Sequence, residues 1–334
     1  MALATLPVLT SMPSAAAPID IIVLQAEVRR LARERDAVIL AHNYQVPEVQ
    51  DVADYVGDSL GLAIEATRTT ASVIVMCGVY FMAETAKILN MGRTVLIPDR
   101  TAGCSLADSI TLQQLQAWKA EHPSGVVVSY VNTTAAIKAE SDYCVTSGNA
   151  EAVVRAIPED RQILFLPDLY LGTWLKERTG RADMLVWPGE CHVHAGIRVS
   201  EMRERLAEHP DAELLIHPEC GCTSRFVHAQ QRGGLDAART HVLSTEGMIT
   251  HARTSHATTM VVATENGLLH RLAKEVPGKS YIHADERALC RYMKQITLPR
   301  LRDSLRTMQP QVEVAPEIAV RARLAIDRML AVRG

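Results

Sequence analysis

The sequence has few aromatic residues and no block of like charge. Phe, Trp and Tyr make up 4% of the 334 residues, so side chains for stacking nucleic-acid bases are scarce. The 35 basic and 38 acidic residues give a formal charge of −3, and no basic cluster indicates binding to nucleic acid or to an anionic membrane. No uninterrupted apolar run approaches the roughly 18 residues of a membrane-spanning helix. These absences favour small-molecule partners.

The sequence also lacks the closely spaced cysteine pairs of zinc ribbons and thioredoxin-like redox motifs. None of its seven cysteines forms a Cys-x-x-Cys pair, so any metal site must be assembled from distant segments. An odd number of cysteines in a long chain favours a reducing compartment, where thiols serve metal binding or catalysis. Residues 1–19 lack a basic segment, and Pro7 interrupts their apolar run. We therefore expect a disordered leader on a cytoplasmic protein.

Short apolar runs recur from Ala37 onward, each followed by a helix-like stretch. Examples are VILAHNY, SVIVMCG, VVVSYVN and ELLIHPE. Their hydrophobicity is continuous, which is typical of strands covered on both faces in a parallel sheet. The sequence therefore predicts an α/β fold, in which ligands bind at the carboxyl ends of the strands.

The spacing of polar strand ends and cysteines indicates an internal triplication. The separation is 62 residues from His42 to Cys104, 61 from Tyr130 to Cys191 and 73 from His217 to Cys290. Equal intervals between equivalent features are the signature of a repeat. We expect three similar α/β units, each presenting one cysteine at its ligand-binding edge.

The predicted domain boundaries follow from this repeat. The first α/β domain comprises residues 20–118 with the terminal helices in 291–334, the second 119–200 and the third 201–290. An amphipathic helix beginning near Asp20 and another near the carboxyl end are expected to pack on the body of the protein. The longer third segment is expected to contain an insertion around Cys220 and Cys222.

Three cysteines lie in loops that follow strands. They are Cys104, Cys191 and Cys290, and three thiolates from equivalent loops could bind one iron–sulfur cluster and leave its fourth iron open. An open iron is a Lewis acid that can assist loss of water. Cys77 and Cys144 lie within apolar runs, which predicts buried, inert thiols.

A zinc site competes with the cluster. It would use Cys191, His192 and His194 together with His217, Cys220 or Cys222. A zinc-dependent lyase or hydrolase built on Cys191, His194 and His217 is the corresponding function. The spacing alone leaves cluster, zinc and no metal open.

Polar residues that close the apolar runs are candidates for acid–base chemistry and anion binding. The segments GDSLGLA, VNTTAA, VTSGNA and LSTEGM place Ser, Thr or Gly before predicted helices, where backbone N–H groups favour phosphate or carboxylate. Their recurrence suggests a substrate with several negative groups. The acid–base candidates are His42, Tyr44, Tyr130, Asn132, His217, Glu219 and Glu265.

Several long segments resemble the quinolinate synthase family. They include AHNYQVPEVQDVADYVGDSLGLA, VLIPDRTAGCSLAD, SYVNTTAAIKAESDYCVTSGNA, WPGECHVH and TENGLLHRL, and the resemblance covers about residues 35 to 300. It implies condensation of iminoaspartate with dihydroxyacetone phosphate to quinolinate, phosphate and water, in de novo NAD biosynthesis. It also implies a 4Fe-4S cluster in a cavity between three pseudo-equivalent αβα domains with short parallel sheets.

The resemblance also implies roles for individual residues. The cluster ligands would be Cys104, Cys191 and Cys290, with Cys77, Cys144, Cys220 and Cys222 as bystanders. Substrate would contact His42, Ser59, Tyr130, Asn132, Ser147, His217, Glu219, Ser244 and Thr245. Catalysis would involve Tyr44, Tyr130, His217 and Glu219, with Glu219 as a proton carrier and the open iron as Lewis acid.

The sequence departs from the common family pattern in three places. Asn43 stands where Tyr is frequent, Glu246 stands where a smaller residue is common, and the segment from His217 to Ser244 is longer than usual. An iron–sulfur sensor or a metabolite-binding protein without turnover is the alternative from another class. Because iminoaspartate is unstable, handoff from an aspartate-oxidising enzyme is a reasonable hypothesis.

Overall fold

The computed structural model describes residues 20–221 and 236–332. The expected leader at 1–19 and the middle of the expected insertion, including Cys222, lie outside these ranges. Within them, no helix combines the length and apolar character needed to cross a membrane.

Three parallel sheets of four strands each form the framework. The first contains β1 (Ala37–His42), β2 (Tyr55–Gly57), β3 (Val73–Cys77) and β4 (Thr94–Leu96); the second contains β5 (Val126–Tyr130), β6 (Tyr143–Val145), β7 (Ile163–Leu166) and β8 (Leu185–Val186); the third contains β9 (Glu213–Ile216), β10 (Thr240–Val242), β11 (Thr259–Ala263) and β12 (Ser280–His283). Each sheet has its second strand at one edge, followed by the first, third and fourth. The α/β class and the threefold repetition are therefore confirmed.

The strand that opens each repeat has a neighbour on both sides. Ala41 of β1 pairs with Val56 and with Cys77, and Ile216 of β9 pairs with Val242 and with Ala263. Strands β3, β5 and β7 also lie between two neighbours, and they are buried at every position. This burial explains the continuous apolar runs in the sequence. Parallel pairing brings the carboxyl ends of β1, β5 and β9 to the functional edges of their sheets.

Helices connect the strands. They are α1 (Ile21–Glu34), α2 (Pro47–Gln50), α3 (Ser59–Arg68), α4 (Tyr80–Leu89), α5 (Leu112–Glu121), α6 (Ala135–Ala139), α7 (Ala150–Ala156), α8 (Leu169–Thr179), α9 (Val199–Glu208), α10 (Thr245–Thr254), α11 (Leu268–Glu275), α12 (Leu298–Thr307) and α13 (Pro316–Ala331). Helix α1 begins where the Asp20 carboxylate accepts hydrogen bonds from the Ile22 and Val23 N–H groups. Its Leu24, Val28 and Leu31 are buried, whereas Ile21 is exposed.

The two carboxyl-terminal helices pack against different parts of the chain. Helix α12 packs against α1, whereas α13 packs against α6 and β6 and also touches α4. The Asn149 side-chain amide donates hydrogen bonds to the Met329 and Val332 carbonyl oxygens at the end of α13. The carboxyl-terminal segment thus joins the first sheet to the second, and the predicted domain boundaries stay a prediction.

Candidate active site

A cavity lies where residues from all three sheets meet. Its lining combines apolar side chains with a few polar groups, as is typical of a small-molecule site. The strand that opens each repeat supplies two side chains to its wall, two residues apart. These pairs are His42 with Tyr44 at the end of β1, Tyr130 with Asn132 at the end of β5, and His217 with Glu219 just after β9. All six residues were singled out from the sequence.

Residues at or near helix starts also line the cavity. Ser59 and Thr245 are the first residues of α3 and α10, and Ser147 lies shortly before α7. Ser244 behaves differently, because its hydroxyl accepts a hydrogen bond from the Gly247 N–H at 3.1 Å and so caps α10. Ser244 is not among the residues that line the cavity, and its predicted substrate contact stays a prediction.

Each of the three predicted cysteine ligands lies three residues before a short 3₁₀ helix. The helices are Ala107–Ser109 after Cys104, His194–Gly196 after Cys191 and Met293–Gln295 after Cys290. The three sulfurs accept backbone hydrogen bonds from Ala107, His194 and Met293, respectively. All three cysteines line the cavity, so three equivalent turns present their sulfurs to one space.

The repetition extends beyond the cysteine turn. A buried isoleucine stands six residues after each cysteine, a ten-residue helix begins eight residues after it, and a proline stands nineteen or twenty residues after it. The isoleucines are Ile110, Ile197 and Ile296, the helices are α5, α9 and α12, and the prolines are Pro123, Pro210 and Pro310. This pattern is visible in the sequence, but intervals counted from the strand ends do not reveal it.

The three cysteines are free thiols whose surroundings oppose ionisation. Burial and the nearby Cys290 together raise the pKa of Cys104 to about 12. Burial and the Glu219 carboxylate raise the pKa of Cys191, and burial also raises the pKa of Cys290. Three thiolates in this space therefore need a bound cation to stabilise them.

The other described cysteines do not present free thiols to the cavity. Cys77 and Cys144 are buried in β3 and β6, and burial raises the pKa of Cys144 to about 11. The predicted inert character of both thiols agrees with this environment. Cys220 is disulfide-bonded and is not among the free thiols, which removes it from the candidate zinc ligands.

Glu219 is the centre of the polar network in the cavity. It accepts a hydrogen bond from the Tyr130 hydroxyl, and its other oxygen lies 3.2 Å from His194 Nδ1. Burial alone would raise the pKa of Glu219, but His194, His217 and Tyr130 together lower it to about 2. Glu219 is therefore an ionised carboxylate that three neighbouring side chains stabilise.

Two histidines and two tyrosines of the network are neutral at physiological pH. Burial lowers the pKa of both His42 and His217 to about 3. Burial and the Glu219 charge raise the pKa of Tyr44 and of Tyr130, so both hydroxyls keep their protons. The Ser147 hydroxyl lies 3.3 Å from His217 Nε2, which links a predicted anion-binding residue to the network.

Thr264 connects Tyr44 to His194 across the cavity wall. Its hydroxyl lies 2.7 Å from the Tyr44 hydroxyl and 2.9 Å from His194 Nε2. Thr264 directly follows β11, and nothing in the sequence indicated that it bridges two other residues. This bridge fixes the orientation of both partners.

Glu265, expected to take part in acid–base chemistry, positions the third cysteine turn. One carboxylate oxygen accepts the Cys290 N–H at 2.9 Å and lies 2.8 Å from the Lys294 ammonium. The other oxygen accepts the Gly267 N–H at 2.7 Å. Because its oxygens are occupied in this way, Glu265 has a clear structural role.

One group of side chains has the spacing of a zinc site. Ligand atoms of Cys191, His194 and Glu219 all lie within 4.8 Å of one another. The group contains two of the three residues of the predicted zinc alternative, with Glu219 in place of His217. However, His194 Nδ1 already lies 3.3 Å from the Cys191 sulfur and faces Glu219, so the three side chains also satisfy one another without a metal.

Three matching sheets, three matching cysteine turns and a shared polar cavity define a triplicated α/β protein with a small-molecule site. A family model described as quinolinate synthetase A protein matches residues 26–331. The chain belongs to this family and is therefore an enzyme.

Curated relatives agree with this assignment. A protein named quinolinate synthase from Thermus thermophilus is 56% identical over 309 residues, which cover 92% of this chain and 97% of the relative. Proteins of the same name from Mycobacterium sp. strain KMS and from Mycobacterium tuberculosis are 54% and 52% identical over 305 residues. These matches cover 91% of this chain and 90% and 87% of the two relatives.

Proposed function

We propose that this enzyme condenses iminoaspartate with dihydroxyacetone phosphate to give quinolinate, phosphate and water, as a step of de novo NAD biosynthesis. The observation that carries the proposal is the convergence of three equivalent cysteine turns on a cavity that also contains Glu219 and Tyr130. The family match over residues 26–331 supports it. As a condensation, the reaction falls in the transferase class.

The proposed cofactor is a 4Fe-4S cluster held by Cys104, Cys191 and Cys290. The donor set fits, because three free thiols that cannot easily ionise alone face one cavity from three equivalent turns. Each sulfur accepts a backbone N–H, as is typical of cluster-bound thiolates. When bound, the cluster would supply a Lewis acid at the iron that has no protein ligand.

The polar residues of the walls are proposed to bind the negative groups of the two substrates. His42 and Ser59 would contact a carboxylate or the phosphate, and Ser147 would help to hold the phosphate. His217, with Thr245 and Ser244, would bind the other carboxylate end, while Asn132 and Tyr130 would border the cofactor. Since His42 and His217 are neutral in this site, they would act as hydrogen-bond partners rather than as positive charges.

Glu219 is proposed to move protons during enolisation, imine formation and dehydration. As the ionised carboxylate of the network it can accept a proton from a substrate carbon or nitrogen. The Tyr130 hydroxyl donates to it and would keep the carboxylate oriented while the proton is held. Tyr44, oriented by Thr264, would donate a hydrogen bond near the reacting carbons.

Anaerobic purification followed by iron, sulfide and zinc analysis tests the cofactor, and assay of quinolinate tests the reaction. The expected result is about four irons and four sulfides per chain, with quinolinate formed from both substrates. Stoichiometric zinc without sulfide would instead support the zinc-dependent lyase or hydrolase, for which the Cys191, His194 and Glu219 group is the specific observation. A full cluster without any formation of quinolinate would instead favour an iron–sulfur sensor as the function of this protein.

We also propose that iminoaspartate is handed over from an aspartate-oxidising enzyme, because it is unstable in water. Mixing the two enzymes should give faster quinolinate formation than the same supply of free oxaloacetate and ammonia. Equal rates from both sources would contradict the handoff.

A further inference from the structure

A second cluster of metal-ligating side chains lies on the third sheet, away from the cavity. Glu213 is the first residue of β9, His241 is the middle residue of β10, and His251 lies in α10. One ligand atom of each side chain lies within 4.8 Å of those of the other two. None of the three residues lines the cavity described above.

The three side chains are already held together by polar contacts. His251 Nε2 lies 2.7 Å from Glu213 Oε2, and the Ser255 hydroxyl donates to the same oxygen at 2.8 Å. The centroids of the His241 and His251 rings are 4.0 Å apart, with the ring planes tilted by 39°. The side chains of His251 and Glu213 are 22% and 18% exposed, so an ion can reach them from solvent.

His241 provides an independent indication of a ligand. Its Nε2 atom is shielded from solvent and has no hydrogen-bond partner among the described residues. A shielded nitrogen without a partner costs free energy, and a metal ion bound to its lone pair would remove that cost. The packing of two imidazoles against one carboxylate therefore leaves a polar atom for which the described part of the chain supplies no partner.

We propose that Glu213, His241 and His251 bind one Zn²⁺ ion. Two imidazoles and a carboxylate form a common three-residue zinc set, with water in the fourth position. Ligand atoms around a tetrahedral zinc lie about 3.3 Å apart, given zinc–nitrogen distances of about 2.0 to 2.1 Å. The ion would replace the proton between His251 and Glu213, and the Ser255 hydroxyl would keep the carboxylate oriented towards it.

The two imidazole ligands also determine which metal ions can compete with Zn²⁺ for this site. Mg²⁺ and Ca²⁺ prefer oxygen ligands, so neither should displace zinc from this site. The bound ion would connect β9, β10 and α10, and α10 begins at Thr245 in the cavity wall. This inference does not depend on the reaction proposed above.

Zinc binding to the cluster-loaded enzyme tests the proposal under anaerobic conditions. Equilibrium dialysis against Zn²⁺ should show one equivalent bound by the parent protein in the presence of excess Mg²⁺. His251→Ala should lose this equivalent while its iron and sulfide content is unchanged. His256→Ala is the matched control, because His256 is an exposed histidine just after α10, and it should bind zinc like the parent.

Glu213→Gln provides a second variant that keeps the shape of the side chain. It should weaken zinc binding about tenfold or more with the fold intact by circular dichroism. The proposal is overturned if the parent binds no zinc, if Mg²⁺ displaces it, or if folded His251→Ala or Glu213→Gln binds zinc as the parent does. An unchanged iron content in each sample would show that the loss of zinc binding does not involve the cysteine turns.

Discussion

Tyr130, at the end of β5, donates its hydroxyl hydrogen bond to the carboxylate of Glu219, which follows β9. The two residues belong to different sheets and are 89 positions apart in the chain. The contact therefore joins the second and third repeats at the point where proton transfer is proposed.

Glu219→Gln should keep the cluster and lose turnover. The amide preserves the size of the side chain but cannot accept a proton, so quinolinate formation should fall about a hundredfold or more at unchanged iron content. Glu121→Gln, at the exposed end of α5, is the control and should retain activity. Near-normal activity of Glu219→Gln would remove this carboxylate from the mechanism.

Cys104→Ala, Cys191→Ala and Cys290→Ala should each abolish the cluster. A cluster held by three thiolates is left with two ligands in every variant, so iron and sulfide measured anaerobically should be lost. Cys144→Ala removes a buried thiol in β6 and should leave the iron content unchanged. Full iron in any of the first three variants would disprove its assignment as a ligand.

Gly189→Ala should destabilise the approach to the second cysteine turn. A methyl group at this position would overlap the Ser109 hydroxyl and the Pro167 carbonyl oxygen. We expect a loss of about 1 to 3 kcal/mol in the free energy of unfolding, measured by urea denaturation. Gly196→Ala lies in the turn itself, where no atom of the described residues lies within 4 Å of the new methyl group, and should have little effect. Equal stability of the two variants would contradict this explanation.

Asn43→Ala should weaken substrate binding as well as stability. The side-chain amide donates to the Thr245 hydroxyl at 2.9 Å and accepts from Arg271 at 2.7 Å, so its removal leaves two buried groups without these contacts. We expect a loss of about 1 to 3 kcal/mol in the free energy of unfolding. Because Thr245 lines the cavity, we also expect a higher KM with a smaller change in kcat.

Asn90→Ala is the matched control for Asn43→Ala. The Asn90 amide donates to the Ala66 and Ala86 carbonyl oxygens, away from the residues that line the cavity. The Asn90→Ala variant should have a lower free energy of unfolding and an unchanged KM. A normal KM in Asn43→Ala would separate Asn43 from substrate binding.

Acidification should weaken the folded state through His42 and His217. Each pKa is lowered by burial to about 3, against about 6.5 in an unfolded chain. The stabilisation is therefore complete above pH 6.5 and is lost as the pH falls towards 3, by about 1 kcal/mol for each residue at about pH 5.5.

Anaerobic urea denaturation at about pH 7.5 and about pH 5.5 measures this loss. His217→Gln should show a drop in the free energy of unfolding about 1 kcal/mol smaller than that of the parent. His256→Gln changes an exposed histidine and should show the drop of the parent. An equal drop in all three proteins would show that His217 is not buried in its neutral form.

Much of the site could be predicted because its residues occupy repeated local positions. A continuous apolar run predicts a buried parallel strand, and the polar residue that ends it reaches the ligand edge, which located His42, Tyr130 and His217. The threefold spacing likewise located the three cysteines. The local pattern was sufficient in these cases because backbone topology alone fixes the positions.

Features that depend on side-chain partners could not be predicted. The choice of Ser244 as a helix cap, the bridge of Thr264 between Tyr44 and His194, and the use of Glu265 to hold the Cys290 turn all depend on the particular contacts that the folded chain makes. A strand-end residue has the same local sequence whether it faces a ligand or a neighbouring loop. The sequence therefore identified the residues of the site more reliably than the contacts between them.

The three cysteine turns also have a consequence for folding and cofactor insertion. Their cysteines are separated by 87 and 99 residues, and one lies in each repeat. A group bound by all three closes two long chain loops at once, and it meets its complete set of ligands only after every sheet has formed. Insertion of the proposed cluster would then be a late step of maturation, and a mutation that delays the folding of any one repeat would reduce the fraction of chains that receive it.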